Sequence, residues 1–230
     1  MSIAYENFDV LTFDCYGTLI DWETGIATAL RQALPGLTHL GDDALNEAFA
    51  RYEAAAEVPY QAYRAVLAQS VRQVAAEFGQ EISDEAAEAF GVSVRDWPAF
   101  ADSAAALAKL KTRFKLAVIT NCDTDLFAAS NAKLGVEFDY IITAQMAGSY
   151  KPDLNNFHVA FAKIAEPRER ILHVAQSLFH DHVPAKQLGM TSVWIDRRHD
   201  RAGFGATPPA DATPDARFPS MQAFADAAVR

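Results

Sequence analysis

Asp14 closes the apolar part of the run Phe8 to Ile20, FDVLTFDCYGTLI, and is followed by Cys15, Tyr16, Gly17 and Thr18. A carboxylate at the carboxyl end of a buried strand stands where open α/β sheets gather their ligands. Kept ionised and aligned, it can attack as a nucleophile. The same residue can also cap a following turn. Three further stretches carry groups that such chemistry needs. KLAVI is followed by Thr120 and Asn121, ILHVA by Gln176, Ser177 and then Asp181, and Lys151 stands just before Pro152. A second carboxylate, a lysine, and hydroxyl and amide groups arriving from separate strand ends form a site-like set. Singly, each has a plain structural use. Thr120 and Asn121 can cap the next helix, Asp181 can start one, and Lys151 can be a solvated cation. Cys15 and Cys122 also follow predicted strands; as small residues beside strand ends they suit packing better than attack.

Those groups meet only if the elements between them place the strand ends together. Phe8, Val10, Leu11 and Phe13 read as a buried strand bounded by Gly17. Asp21 to Leu34 follows as a helix stopped by Pro35-Gly36. A helical block comes next, with Leu45, Phe49 and Tyr52 on one face, a break at Val58-Pro59, a stripe from Tyr63 to Phe78 closed by Gly79, and a shorter helix from Ser83 to about Phe90. No strand interrupts it, so it reads as a lid over the pocket. After Trp97-Pro98 strands and helices alternate: a helix at Asp102 to Lys111, a strand at Lys115 to Ile119, a helix at Asp125 to Leu134, a strand at Tyr140 to Thr143, and a helix at Pro152 to Ile164. Ile171 to Ala175 is the next strand, Val183 to Leu188 a helix, and Ser192 to Ile195 a strand. The stretch Gly203 to Pro219 reads as a loop or weak surface strand, and Met221 to Val229 as the last helix. This alternation predicts an α/β fold with a doubly wound, Rossmann-like parallel sheet and an inserted helical cap. The expected core is residues 1–20 and 98–230, and the cap is 21–97.

Composition narrows the partners. The chain has 230 residues, half of them hydrophobic and 22% charged, with a net charge of −10. That acidity disfavours nucleic acid or an anionic membrane surface as a partner. No apolar run approaches a membrane span, and MSIAYENFDV lacks a basic-then-apolar leader. Two cysteines suggest no disulfide framework. The expectation is a cytoplasmic protein.

The set Asp14 to Thr18, Thr120-Asn121, Lys151-Pro152 and Ser177 to Asp181 resembles the four motifs of the haloacid dehalogenase superfamily, over nearly the whole chain. Most of that superfamily are phosphatases. They use a second Asp two residues after the nucleophile and an acidic pair in the fourth motif to hold Mg²⁺. Here those places are Tyr16 and, in Ala175-Gln176, a neutral amide, both poor replacements for a carboxylate. DCYGTLIDW looks like the first motif of the metal-free L-2-haloacid dehalogenase branch.

That resemblance implies no cofactor, no metal and a two-step displacement. Asp14 attacks the halogen-bearing carbon of a short 2-haloalkanoic acid. A water activated by Asp181 then cleaves the resulting ester to an inverted 2-hydroxy acid. Lys151 would hold Asp14 ionised, and Thr18, Thr120 and Ser177 would bind carboxylates. Asn121 and Arg51 would receive the halide, with Arg64 as the alternative arginine. Tyr16, Trp22, Trp97 and Phe157 would wall the pocket, and His180 could share the base role. The chain departs from the branch at Gln176 (Ser there), Leu178 (Asn there) and Phe157 (Tyr there). Alternatives are another activated carbon (a fluorinated acid or a strained cyclic amine), a phosphatase, or a binding protein that has lost its activity. A homodimer would accord with the branch.

Overall fold

The computed structural model describes residues 3–201, 203 and 205–230. Strand β1 (Val10–Phe13) is buried at every residue, as expected of a strand covered on both faces. Four helices follow without a strand: α1 (Trp22–Ala33), α2 (Asp42–Ala56), α3 (Tyr63–Glu77) and α4 (Asp84–Val92). Alternation then begins with α5 (Ser103–Lys111), β2 (Lys115–Thr120), α6 (Thr124–Leu134) and β3 (Tyr140–Thr143). It continues through α7 (Ala144–Ala147), α8 (Asn155–Lys163), β4 (Ile171–Ala175), α9 (Val183–Gln187), β5 (Thr191–Ile195), β6 (Ala216–Phe218) and α10 (Met221–Ala228).

The six strands form one sheet in the order β3-β2-β1-β4-β5-β6, and every pairing is parallel. β1 therefore lies between β2 and β4, with Phe13 beside both Val118 and Val174. The winding reverses there, and such a reversal opens a crevice beyond the strands' carboxyl ends. Side chains alternate between two apolar layers: Leu11, Phe13, Leu116, Val118, Leu172 and Val174 belong to one, and Val10, Ala117, Ile119 and Ile171 to the other.

The helical block is tied to the sheet at specific points. Asp21 caps α1, accepting from the Thr24 amide at 3.2 Å. The chain leaves and re-enters through an antiparallel bridge of Ile20 with Ala99. Asp123, just past β2, accepts the Tyr63 and Arg64 amides at 2.9 and 3.1 Å, satisfying the free N–H groups that open α3. Tyr150 donates to the Gln61 carbonyl at 2.8 Å. Within the block α3 and α4 pack backbone to side: a Cβ at Gly91 would lie 2.5 Å from the Arg64 carbonyl oxygen.

Three boundaries differ from the sequence reading. The helix expected from Pro152 begins at Asn155, because residues 151–154 turn first. A five-residue wide turn of π type, Leu178–His182, precedes α9. The stretch read as loop or weak strand contributes the edge strand β6, while residue 204 within it lies outside the described residues. Among the described residues no helix is long and apolar enough to cross a membrane.

Candidate active site

Asp14, Lys151 and Asp181 meet at the winding reversal, each buried. Lys151 spends its ammonium on three acceptors: Asp14 Oδ1 at 2.9 Å, Asp181 Oδ1 at 2.7 Å and the Ile119 carbonyl at 2.8 Å. Three donors are all an ammonium has. Asn121 sets the lysine's backbone, accepting the Lys151 amide at 2.8 Å and donating to its carbonyl at 3.0 Å. Thr18 donates to Asp14 Oδ2 at 2.6 Å and accepts the Gln176 amide at 2.9 Å, which joins the β1 and β4 ends.

Behind Asp181 lies a partner with no place in the motif reading. His173, in β4, sets Nε2 3.0 Å from Asp181 Oδ1 and Nδ1 2.9 Å from the Thr12 hydroxyl. Nε2–H donates to the ionised carboxylate, and the Thr12 hydroxyl stands within reach of both Nδ1 and the Leu172 carbonyl, the latter at 3.4 Å. Asp181 Oδ2 is buried without a partner, so one oxygen is fixed and the other remains able to accept a proton.

Charge follows from burial and these contacts. Burial pushes the Asp14 carboxyl up, against Lys151 and the Thr18 hydroxyl, which favour its ionised form. Burial acts on Asp181 too, but Lys151 and His173 outweigh it and hold that carboxyl below the usual range. Lys151 is raised, since its two carboxylates outweigh desolvation. Burial lowers His180 to about 4, so its ring is neutral near pH 7. The Cys15 thiol is pushed well up by burial, and Cys122 to about 12. Neither thiol is an available thiolate.

A small cavity of about 30 Å³ touches Asp14, Lys151 and Asp181 and is walled by Tyr16, Trp22, Glu53, Tyr63, Asn121, Ser177, His180 and Thr207. Ser177 accepts the His180 amide at 2.9 Å and lies 3.1 Å from its Nδ1. Thr120 ends β2 beneath the site, with its hydroxyl buried and unpartnered.

Six expected residues do not line the cavity, and two of them, Thr18 and Thr120, lie fully buried behind it. Arg51 is half-exposed on α2 and paired with Glu77. Arg64 is held by Asp123 and Asp125. Trp97 packs edge-on behind the Tyr16 ring, 5.7 Å between centroids, and does not line this cavity. Phe157 lies in the apolar layer beneath the sheet, edge-on to His173 at 5.2 Å. Conversely, Glu53, Tyr63, Thr207 and His173 were not singled out from the sequence. Glu53 had a legible signal: it continues the inward stripe Leu45, Phe49 by one more helical step, and an acid on such a stripe is unusual.

A parallel sheet with a buried carboxylate–ammonium–carboxylate group at its winding reversal defines an α/β protein with a strand-end aspartate site. Residues 8–181 match the model of the haloacid dehalogenase-like hydrolases, and the chain belongs to that family. An (S)-2-haloacid dehalogenase of Pseudomonas putida is 24% identical over 208 residues, which cover 84% of this chain and 87% of the relative. The solved structure of L-2-haloacid dehalogenase from Xanthobacter autotrophicus with chloropropionic acid covalently bound matches with a TM-score of 0.80 at 19% identity, over 95% of this chain and 97% of that one. The magnesium-bound HAD-hydrolase YfnB of Bacillus subtilis matches at 0.76 and 18%, over 93% and 95%.

The fold is thus common to a metal-bound protein, and the donor set has to be weighed by itself. Magnesium takes hard oxygen donors in a near-ideal octahedron. Here the Lys151 ammonium fills the space between the two carboxylates. Tyr16 turns its hydroxyl to Ser130 at 3.0 Å, and Gln176 Oε1 accepts from Thr207 at 3.3 Å. Among the described residues no three His, Cys, Asp or Glu side chains group to hold a metal ion. These residues do not fit a divalent-cation site.

Proposed function

We propose that the chain hydrolyses the carbon–halogen bond of short 2-haloalkanoic acids through an ester on Asp14, without a metal. The observation that carries this is the single ammonium held between two buried carboxylates. It supports an ionised nucleophile beside an ionised base, two roles that adjacent carboxylates could not hold unaided.

In the first step an Asp14 oxygen bonds to C2 as the carbon–halogen bond breaks, and the halide leaves with the electron pair. In the second, a water gives a proton to Asp181 Oδ2 while its oxygen attacks the Asp14 carbonyl carbon. The tetrahedral adduct then collapses, its hydroxyl proton passing to the departing 2-hydroxy oxygen, which leaves the Asp14 carboxylate and the inverted 2-hydroxy acid. Thr18 and Lys151 hold Asp14, His173 and Lys151 hold Asp181, and Asn121 holds Lys151. Ser177, which lines the cavity, remains as a group for the substrate carboxylate. In this reading 21–97 is a cap over a core of 1–20 and 98–230, and the protein is a cytoplasmic enzyme.

The test is halide release from (S)-2-chloropropanoate in EDTA, with mass spectrometry of the Asp14 peptide in a single turnover. Halide release with a mass increment on Asp14 is expected. Magnesium-dependent phosphate release from p-nitrophenyl phosphate, with no halide release, would overturn the proposal.

A further inference from the structure

A departing halide needs a donor where its charge develops, and the usual cations are committed elsewhere. No arginine lines the cavity among the described residues. Arg51 and Arg64 are paired with Glu77 and with Asp123 and Asp125. Lys151 has no N–H left.

What the helical block does present to the cavity is an acid. Glu53 is 5% exposed and lines the cavity together with Asp14. Tyr63 donates to its Oε1 at 3.1 Å, and its other oxygen has no partner among the described residues. Glu57, one turn further along α2, is buried with Oε1 unpartnered. Two buried carboxyls one helical turn apart, with no cation of their own, resist being ionised together.

Resting on the reading above, we propose that Glu53, as the carboxylic acid, hydrogen-bonds the leaving atom, and that this donor therefore assists the departure of fluoride more than that of chloride. Among halides fluoride is the strongest hydrogen-bond acceptor and the conjugate base of the weakest acid, so it gains most from an O–H donor. The Asp14 oxygen bonds to C2 and the C2–F bond breaks. The electron pair goes to fluoride, which departs in the hydrogen bond from Glu53. The proton returns to Glu53 or leaves with fluoride, to be replaced by the one Asp181 takes from water. A fixed arginine would serve the larger, softer halides by its charge; a neutral carboxylic acid gives them a weaker hydrogen bond than it gives fluoride.

The acid form is available near neutrality because burial pushes Glu53 up to about 7, the Tyr63 bond opposing, and Glu57 to about 10, with Glu53 adding to it. The groups that face Glu53 are Tyr63 from α3, Glu57 from its own helix, and Asp14, Lys151, His180 and Asp181 from the sheet edge. Tyr150 stacks beside Tyr63, 6.1 Å between ring centroids.

The experiment follows fluoride release from (S)-2-fluoropropanoate and chloride release from (S)-2-chloropropanoate between pH 5 and 9. The enzymes compared are wild type, Glu53→Gln and Tyr63→Phe, with ester on Asp14 monitored in each. Fluoride release by the wild type should fall as pH rises through about 7. Glu53→Gln should erase that limb and lower fluoride release by roughly 10–100-fold more than chloride release, the size of a hydrogen bond to a charged group. Tyr63→Phe, lacking the bond that favours the ionised form, should move the limb to higher pH. Equal losses on both substrates, or a limb that persists in Glu53→Gln, overturns the proposal while ester from the chloro acid leaves the underlying reading standing. Absence of ester from both acids overturns the underlying reading itself.

Discussion

Replacing Lys151 by Met tests the site at its centre. The ammonium is buried and contacts Asp14 and Asp181 at 2.9 and 2.7 Å, so its loss would leave two carboxylates with no shared cation. Breaking a buried pair in this way costs about 3–5 kcal/mol if both acids stay ionised. The cheaper outcome is uptake of one proton. Asp14 would take it, because burial already pushes its carboxyl up while Asp181 keeps the support of His173. A protonated Asp14 does not attack. The rate falls with the ionised fraction, tenfold for about every 1.4 kcal/mol, so a penalty of about 3 kcal/mol lowers it roughly 100-fold. The assay is single-turnover ester formation on Asp14 with (S)-2-chloropropanoate from pH 6 to 10. Lys151→Met should be at least about 100-fold slower at pH 7 and recover about tenfold per pH unit. A rate within tenfold of wild type, with an unmoved pH profile, would refute the assignment of Lys151 as the group that keeps Asp14 ionised.

Three other perturbations have defined outcomes. His173→Leu removes the fixed bond to Asp181 Oδ1 and should slow ester hydrolysis by roughly 10–100-fold with ester formation little changed, so that the Asp14 ester accumulates in rapid-quench mass spectra. Gly91→Ala places a methyl 2.5 Å from the Arg64 carbonyl, which is backbone and cannot rotate away; urea unfolding should show a loss of about 1–3 kcal/mol. His182 is buried and lowered to about 4 by burial. Its folded pKa is depressed, so its contribution is complete above the unfolded value of about 6.5 and disappears as pH falls toward about 4. Thermal unfolding should show Tm falling across that window, with a loss of up to about 3 kcal/mol.

Strand-borne residues were legible because a strand's end is marked by its own apolar run. Asp14, Thr120 and Ser177 each follow such a run, and the parallel winding leaves one edge where they can meet. Helix-borne residues were not, because each helical step turns about 100° and a shift of two positions reverses the face. Arg51 and Glu53 differ by such a shift: one salt-bridges outward to Glu77 and the other lines the cavity. Phe157 was assigned to the pocket by resemblance to the branch, and the structure seats it in the apolar layer against the sheet, edge-on to His173. Asn121 was placed at the correct end of β2, yet its amide is largely occupied with the Lys151 backbone. His173 had no signal at all. It sits inside ILHVA like any buried strand residue, and only the pairing of Thr12 with His173 across β1 and β4 gives it a role.

The loop after β2 does two jobs within three residues. Asn121 steadies the backbone of the lysine, and Asp123 clasps the first amides of α3. Both contacts leave from one short loop, so a change at Asn121 or Asp123 reaches the ammonium and the first turn of α3 together.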